Sequence, residues 1–227
     1  MKPLKSFVLY LAVLGLVVLF AAVGVGTASA AKTVLFESSS GFPFHMAGTG
    51  GATRFETRGG AAITATSVDA LARILNKTLF DLKILYLGFK TEGTSCSNTS
   101  NAEAVLIEML GHLGLADPGD HPAVLLLVPA GFEFKCGAFI VIKEKGAYIG
   151  EITKPALLVA GQKEMTLKFE ESKGIQKYTE FLLAGGVLDK SQFLEWSQSG
   201  FPFEQAGQEG EMTLKATGTG TFELKDE

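Results

Sequence analysis

The sequence predicts a mainly β protein, an antiparallel two-sheet sandwich or barrel, and three observations carry that expectation. Apolar and polar residues alternate in several short segments, glycines separate those segments, and one longer apolar run is closed by Pro129 and Gly131. Phe80, Leu82, Ile84 and Tyr86 alternate with Asp81, Lys83 and Leu85, and Met165, Leu167 and Phe169 alternate with Thr166, Lys168 and Glu170. Met212, Leu214 and Ala216 repeat the pattern around Thr213 and Lys215, followed by Thr221 to Leu224. A period of two marks strands buried on one face. The run Ala123 to Val128 lacks the alternation and suits a strand buried on both faces.

Two segments pull toward helix. Ser67 to Leu75 has a capping serine and helical spacing, which predicts one short helix near 67–76. Asn101 to Leu115 is rich in Ala, Leu, Glu and Met, all good helix formers, although Gly111 and Gly114 weaken it.

Residues 1–30 read as a secretion signal. Lys2 and Lys5 form a basic start, an apolar run of 19 residues extends from Phe7 to Val25, and Ala28, Ser29 and Ala30 supply the small residues of a cleavage site. An uncleaved run of that length would instead anchor the chain in a membrane, so the localisation expected is secreted, with an anchored form through residues 7–25 as the alternative. Residues 31–227 then form a single secreted domain, with no Pro- or Ser-rich linker dividing it. Without Lys2 and Lys5, 18 basic residues face 24 acidic ones, a formal charge of −6. That balance repels phosphate backbones and predicts no nucleic-acid partner.

Cys96 and Cys136 are the only cysteines, and in an oxidising compartment they are expected to form one disulfide. A nucleophilic thiolate would need a base beside it, and neither cysteine has a histidine close in sequence.

Several of these residues together resemble a group of secreted, β-rich proteins of soil actinobacteria to which no activity attaches. The resemblance rests on Phe36 Glu37, Gly59 Gly60 before Ile63 Thr64, the segment Leu110 Gly111 His112 Leu113 Gly114, then Phe134 Lys135 Cys136 Gly137 and Ile149 Gly150 Glu151 Ile152 Thr153. It spans nearly all of the chain after the leader. It implies strand where Asn101 to Leu115 looks helical. Where the group carries two further cysteines, this chain has Ala65 and Lys90, and their joint replacement implies a second disulfide in the relatives.

The motif Ser-x-Ser-Gly-Phe-Pro-Phe occurs twice, at Ser38 to Phe44 and at Ser197 to Phe203. At an offset of 159, nine of fourteen positions between 38 and 51 are identical to their counterparts, and no copy lies between. Solenoid and propeller repeats are thereby excluded. Each copy predicts a turn leading into a strand, since proline fixes φ and glycine permits a tight reversal. The pair is expected to form matched terminal turns near one another. Phe42, Phe44, Phe201 and Phe203 either staple the chain ends to the core or form exposed aromatic loops for a ligand. Trp196, the only tryptophan, is read as core or as a stacking platform.

No catalytic constellation is legible. His45, His112 and His121 lack metal-binding spacing, and there is no Gly-x-Ser-x-Gly elbow or phosphate-cradling loop, so no cofactor is expected. Asp117, Asp120 and His121 are a weak metal candidate within a segment that also reads as a plain turn. The sequons at Asn76 and Asn98 matter only in a host that glycosylates them. The reading that follows is a secreted, non-catalytic binding or structural module at or outside the cell envelope, with an envelope glycan or surface protein as partner. The alternative is an exported hydrolase acting on a glycan or ester.

Overall fold

The alternating segments form strands, and neighbouring strands close on themselves as a barrel. The computed structural model describes residues 33–117, 121–183, 187–189 and 193–226. The leader and anchor readings of residues 1–30 fall outside these. Residues 32–227 make one compact unit.

The chain enters through β1 (Val34–Ser38), then ascends β2 (Phe44–Gly50) and β3 (Thr53–Thr57) and descends β4 (Ala62–Ala65) and β5 (Ser67–Ile74). It ascends again in β6 (Leu79–Leu87) and β7 (Lys90–Thr91) and descends in β8 (Thr94–Ser97) and β9 (Ala104–Asp117). A third ascent uses β10 (His121–Leu127) and β11 (Glu133–Cys136), and the return uses β12 (Ile140–Lys145) and β13 (Ala147–Lys154). The fourth ascent begins in β14 (Glu164–Phe169). It is interrupted by β15 (Glu171–Ser172), β16 (Ile175–Gln176), β17 (Glu180–Leu183) and β18 (Val187–Asp189), and resumes in β19 (Glu195–Gln198). The long strand β20 (Glu204–Ala216) descends the full height, and β21 (Phe222–Asp226) pairs with β1.

These pairings give two stacked rings of eight antiparallel strands. The lower ring runs β2, β5, β6, β9, β10, β13, β14, β20 and back to β2. The upper ring runs β3, β4, β7, β8, β11, β12, β19, β20 and back to β3. The fold is thus one up-and-down barrel whose strands break at a waist, with β20 continuous through both tiers. Closure removes the exposed edges that a sandwich would leave. At the waist Gly146 has φ +92°, and a side chain there would strike the Phe193 carbonyl, so this break requires glycine.

The helix expected near 67–76 is not formed; those residues lie mostly in β5. Val68, Ala70, Ala72 and Ile74 point inward while Asp69, Leu71 and Arg73 point out. The alternation was concealed by the exposed Leu71 and by two alanines that favour helix in isolation. Full-length pairing with β2 and β6 overrides that weak preference. Asn101 to Leu115 likewise contributes most of a 14-residue strand, β9, which makes nine consecutive register pairs with β6.

The interior is filled by apolar side chains. Gly111 lies opposite Phe80 in the β6–β9 ladder, and a Cβ there would run into the Phe80 ring. Gly111→Ala is expected to cost about 1–3 kcal/mol by overpacking. A denaturant midpoint equal to that of the wild type would contradict this packing. The β1–β21 pair closes the lower end, where Val34, Phe36, Phe222 and Leu224 join the main core and the Phe36 amide donates to the Lys77 carbonyl at 2.7 Å.

Beyond the end of β6, β17 pairs with residues 114–117 of β9, and together with β16 it forms a strap across β10 and β13. Tyr178 and Phe181 cover a second apolar cluster of Ala116, Ala123, Leu125, Ala147 and Ile149. This explains why the Ala123 to Val128 run lacks alternation: β10 is buried on both faces. Elsewhere the outward faces mix ion pairs such as Lys83–Glu108 at 2.7 Å and Arg73–Asp81 with exposed leucines such as Leu71 and Leu110. Among the described residues no helix is long and apolar enough to cross a membrane.

Candidate functional site

The two Gly-Phe-Pro-Phe turns lie at opposite ends of the barrel, which corrects the expectation that they are neighbours. The first precedes β2, whose Met46 pairs with Ala216 at the lower end of β20. The second immediately precedes the upper end of β20, which is 13 residues long. A strand of that length spans about 40 Å. The sequence repeat therefore records a shared turn chemistry and not a shared site. The copies also differ in burial: Phe44 packs edge-on against Phe222 in the core, whereas Phe203 is exposed beneath the Lys145 ammonium, 4.2 Å from its ring centroid.

The second turn builds the candidate site. Ser199 and Gly200 take left-handed φ values of 49° and 83°, and the Phe201 amide donates to the Gln198 carbonyl at 2.9 Å. The reversal throws Phe201 outward, 71% exposed. The turn is tied to the neighbouring β11–β12 tip: the Ser199 amide donates to Val141 at 2.7 Å, and its hydroxyl donates to the Phe139 carbonyl at 3.4 Å. Phe139, on that second tip, is 91% exposed.

Below Phe201 opens a cleft of about 270 Å³ between the β3–β4 hairpin and the β19–β20 turn. Thr57, Gly59 and Ala61 form one wall; Trp196, Gln198, Phe201, Pro202 and Glu204 form the other. The structure thus brings together two of the aromatics singled out in the sequence, Phe201 and Trp196. Trp196 is only 3% exposed, so it lines the cleft as part of the core and does not act as an open stacking platform.

Beneath the cleft lies a buried carboxyl. Glu144 is 5% exposed and points inward from β12 among Phe55, Phe89, Phe132 and Phe134. The Tyr148 hydroxyl donates to its Oε2 at 2.7 Å, and Gln208 Nε2 donates to the Tyr86 hydroxyl at 3.3 Å. The space among these side chains holds no volume for a water molecule. Burial pushes the Glu144 pKa up to about 7, with the Tyr148 hydrogen bond opposing it only in part. The Tyr86 and Tyr148 hydroxyls are raised by burial and, secondarily, by the nearby Glu144 charge. Edge-on contacts of Phe55 with Tyr86, Phe89 and Tyr148, at 5.1, 5.5 and 6.2 Å between centroids, lock the cluster.

The third polar group is on the outer face. His121 Nδ1 lies 3.4 Å from Glu151 Oε1, while Tyr178 and Lys177 donate to Glu151 Oε2 at 2.6 and 3.3 Å. Lys177 also bonds Glu170 at 2.6 Å. Partial burial works to raise the Glu151 pKa, but the Tyr178 and Lys177 hydrogen bonds outweigh it and hold the carboxyl low. These contacts link the strap to β10 and β13. Of the weak metal candidate, Asp120 lies outside the described residues, and His121 is engaged with Glu151. No group of three or more His, Cys, Asp or Glu among the described residues is arranged to hold a metal ion.

Three features escaped the sequence reading: Phe139, Glu144 and the polar wall of the cleft. Only Glu144 had a usable signal. In Ile140 to Lys145 the alternation that buries Ile142 also turns Glu144 inward, placing a carboxylate on an apolar face. No protein-family model matches this chain, and comparison with curated proteins and with solved structures likewise returns no match.

Proposed function

We propose that the chain is an exported, non-catalytic binding module that contacts a cell-envelope glycan or surface protein through the upper rim of its barrel. The observation that carries this reading is the convergence of Phe201 and Trp196 with Thr57, Gln198 and Glu204 in one open cleft, beside the exposed Phe139. Aromatic faces interleaved with a few polar groups suit a ligand with both apolar and hydroxyl-bearing surfaces. Glu204 is the one carboxylate in the cleft lining among the described residues. Glycoside hydrolysis ordinarily uses two, which supports binding over hydrolysis of a glycan, one of the two substrates of the hydrolase alternative.

The test is sedimentation of the purified protein with isolated envelope from its source organism, at low and moderate salt. Pelleting that survives salt is expected for the wild type, and Phe201→Ala should weaken it about tenfold or more, the cost of losing an aromatic anchor. A wild type that stays wholly in the supernatant defeats the proposal.

A further inference from the structure

The rim cleft and the buried carboxyl share a strand pair. Glu144 and Trp196 are direct partners in the β12–β19 ladder, and both side chains are buried. Directly opposed residues hold their Cβ atoms about 5 Å apart, so a change at one is felt by the other. Trp196 is also part of the cleft wall. One residue therefore connects the interior carboxyl to the proposed binding surface.

The carboxyl itself is poorly provided for as an anion. Among the described residues, the titratable groups packed against it are Tyr148 from β13 and Tyr86 from β6, and the remainder of its shell is aromatic or aliphatic. Gln208 from β20 is spent on Tyr86. An ionised carboxylate held by one hydroxyl, with no cation beside it and no room for water, is strongly disfavoured relative to the acid. Ionisation is relieved only by admitting water. The nearest seam that can yield is the one around β19, which has four register pairs with β12 and two with β20.

We propose that protonation of Glu144 regulates the rim cleft: with the carboxyl neutral the waist packs shut and Trp196 holds the cleft wall in place, and with it ionised, water enters and Trp196 shifts. This rests on the reading of the cleft as the binding surface. The position of the carboxyl pKa, raised by burial to about 7, places the change in the neutral range.

The lone tryptophan makes the test direct. Intrinsic fluorescence of the purified protein, titrated from about pH 5 to about pH 9, should show a single transition near neutrality, with emission moving red and acrylamide quenching rising as pH rises. Glu144→Gln should abolish the transition. Tyr148→Phe, which removes the donor that favours the anion, should move its midpoint upward, and it keeps the test alive should the glutamine variant fold poorly. His45, His112 and His121 persist in every variant, so a transition that survives Glu144→Gln overturns the proposal, as does a wild type with no transition. Envelope pelleting at the two ends of the titration separates the two claims. Severalfold weaker pelleting on the alkaline side supports regulation, equal pelleting overturns it, and a fluorescence transition without pelleting at either end removes the cleft reading while leaving the Glu144–Trp196 coupling in place.

Discussion

Replacing both Cys96 and Cys136 by serine is expected to lower the stability of the barrel by about 4 kcal/mol, a melting temperature drop of about 10 °C for a domain of this size. The disulfide closes a sequence separation of 40 residues, and in the chain-entropy model that constraint on the unfolded state sets the magnitude. Its position adds a reason for the effect to appear first in the upper tier. Cys96 and Cys136 face each other in the β8–β11 ladder, which has only two register pairs, so the covalent bond reinforces a short ladder. Differential scanning calorimetry of the double variant measures the shift. An unchanged midpoint would contradict the role given to this bond.

The second large effect is a dependence of stability on pH carried by Glu144. In the unfolded chain a glutamate loses its proton near its ordinary value of 4.5, whereas folded Glu144 keeps it to about 7. Between those values the folded state binds one proton more than the unfolded state, so stability falls as pH rises, by about 3 kcal/mol across the window, and levels off above it. The contribution is fully present on the acid side. Glu37, Glu103, Glu151 and Glu170 have lowered pKa values, so the stability they add is lost only as pH falls below the ordinary carboxylate range, outside this window. Denaturant unfolding at several pH values, compared between wild type and Glu144→Gln, isolates the term. The variant should lose this slope and be the more stable protein on the alkaline side; parallel curves would mean that Glu144 titrates normally.

The candidate site shows how partial a sequence reading of function is. Phe201 could be named in advance because Gly-Phe-Pro-Phe dictates a turn that exposes or anchors an aromatic, and its counterpart Phe42 is exposed as well; yet nothing local distinguishes the exposed Phe203 from Phe44, which holds the same place in the first copy and is buried. Phe139 sits in a turn with no proline and no repeat to draw attention to it. The β19–β20 turn is brought beside it by the β12–β19 pairing, which no local signal announces. Thr57 and Glu204 are far apart in sequence and meet because β3 and β20 pair near the rim.

The sequence by itself determined the strand-rich class, the disulfide partners, the turn chemistry of the repeated motif and the inward faces of β6, β14 and the lower part of β20, because each follows from side-chain alternation or from residues whose backbone preferences are local. Tertiary structure decided the rest. Ring closure made 67–74 a strand against its own helical preference, since two long ladders outweigh a propensity of a few tenths of a kcal/mol per residue. It sent the two repeats to opposite ends and put a carboxyl beside a tryptophan under the rim. Those outcomes depend on which strands pair across long sequence separations, and that choice is made by the cooperative burial of the whole barrel interior.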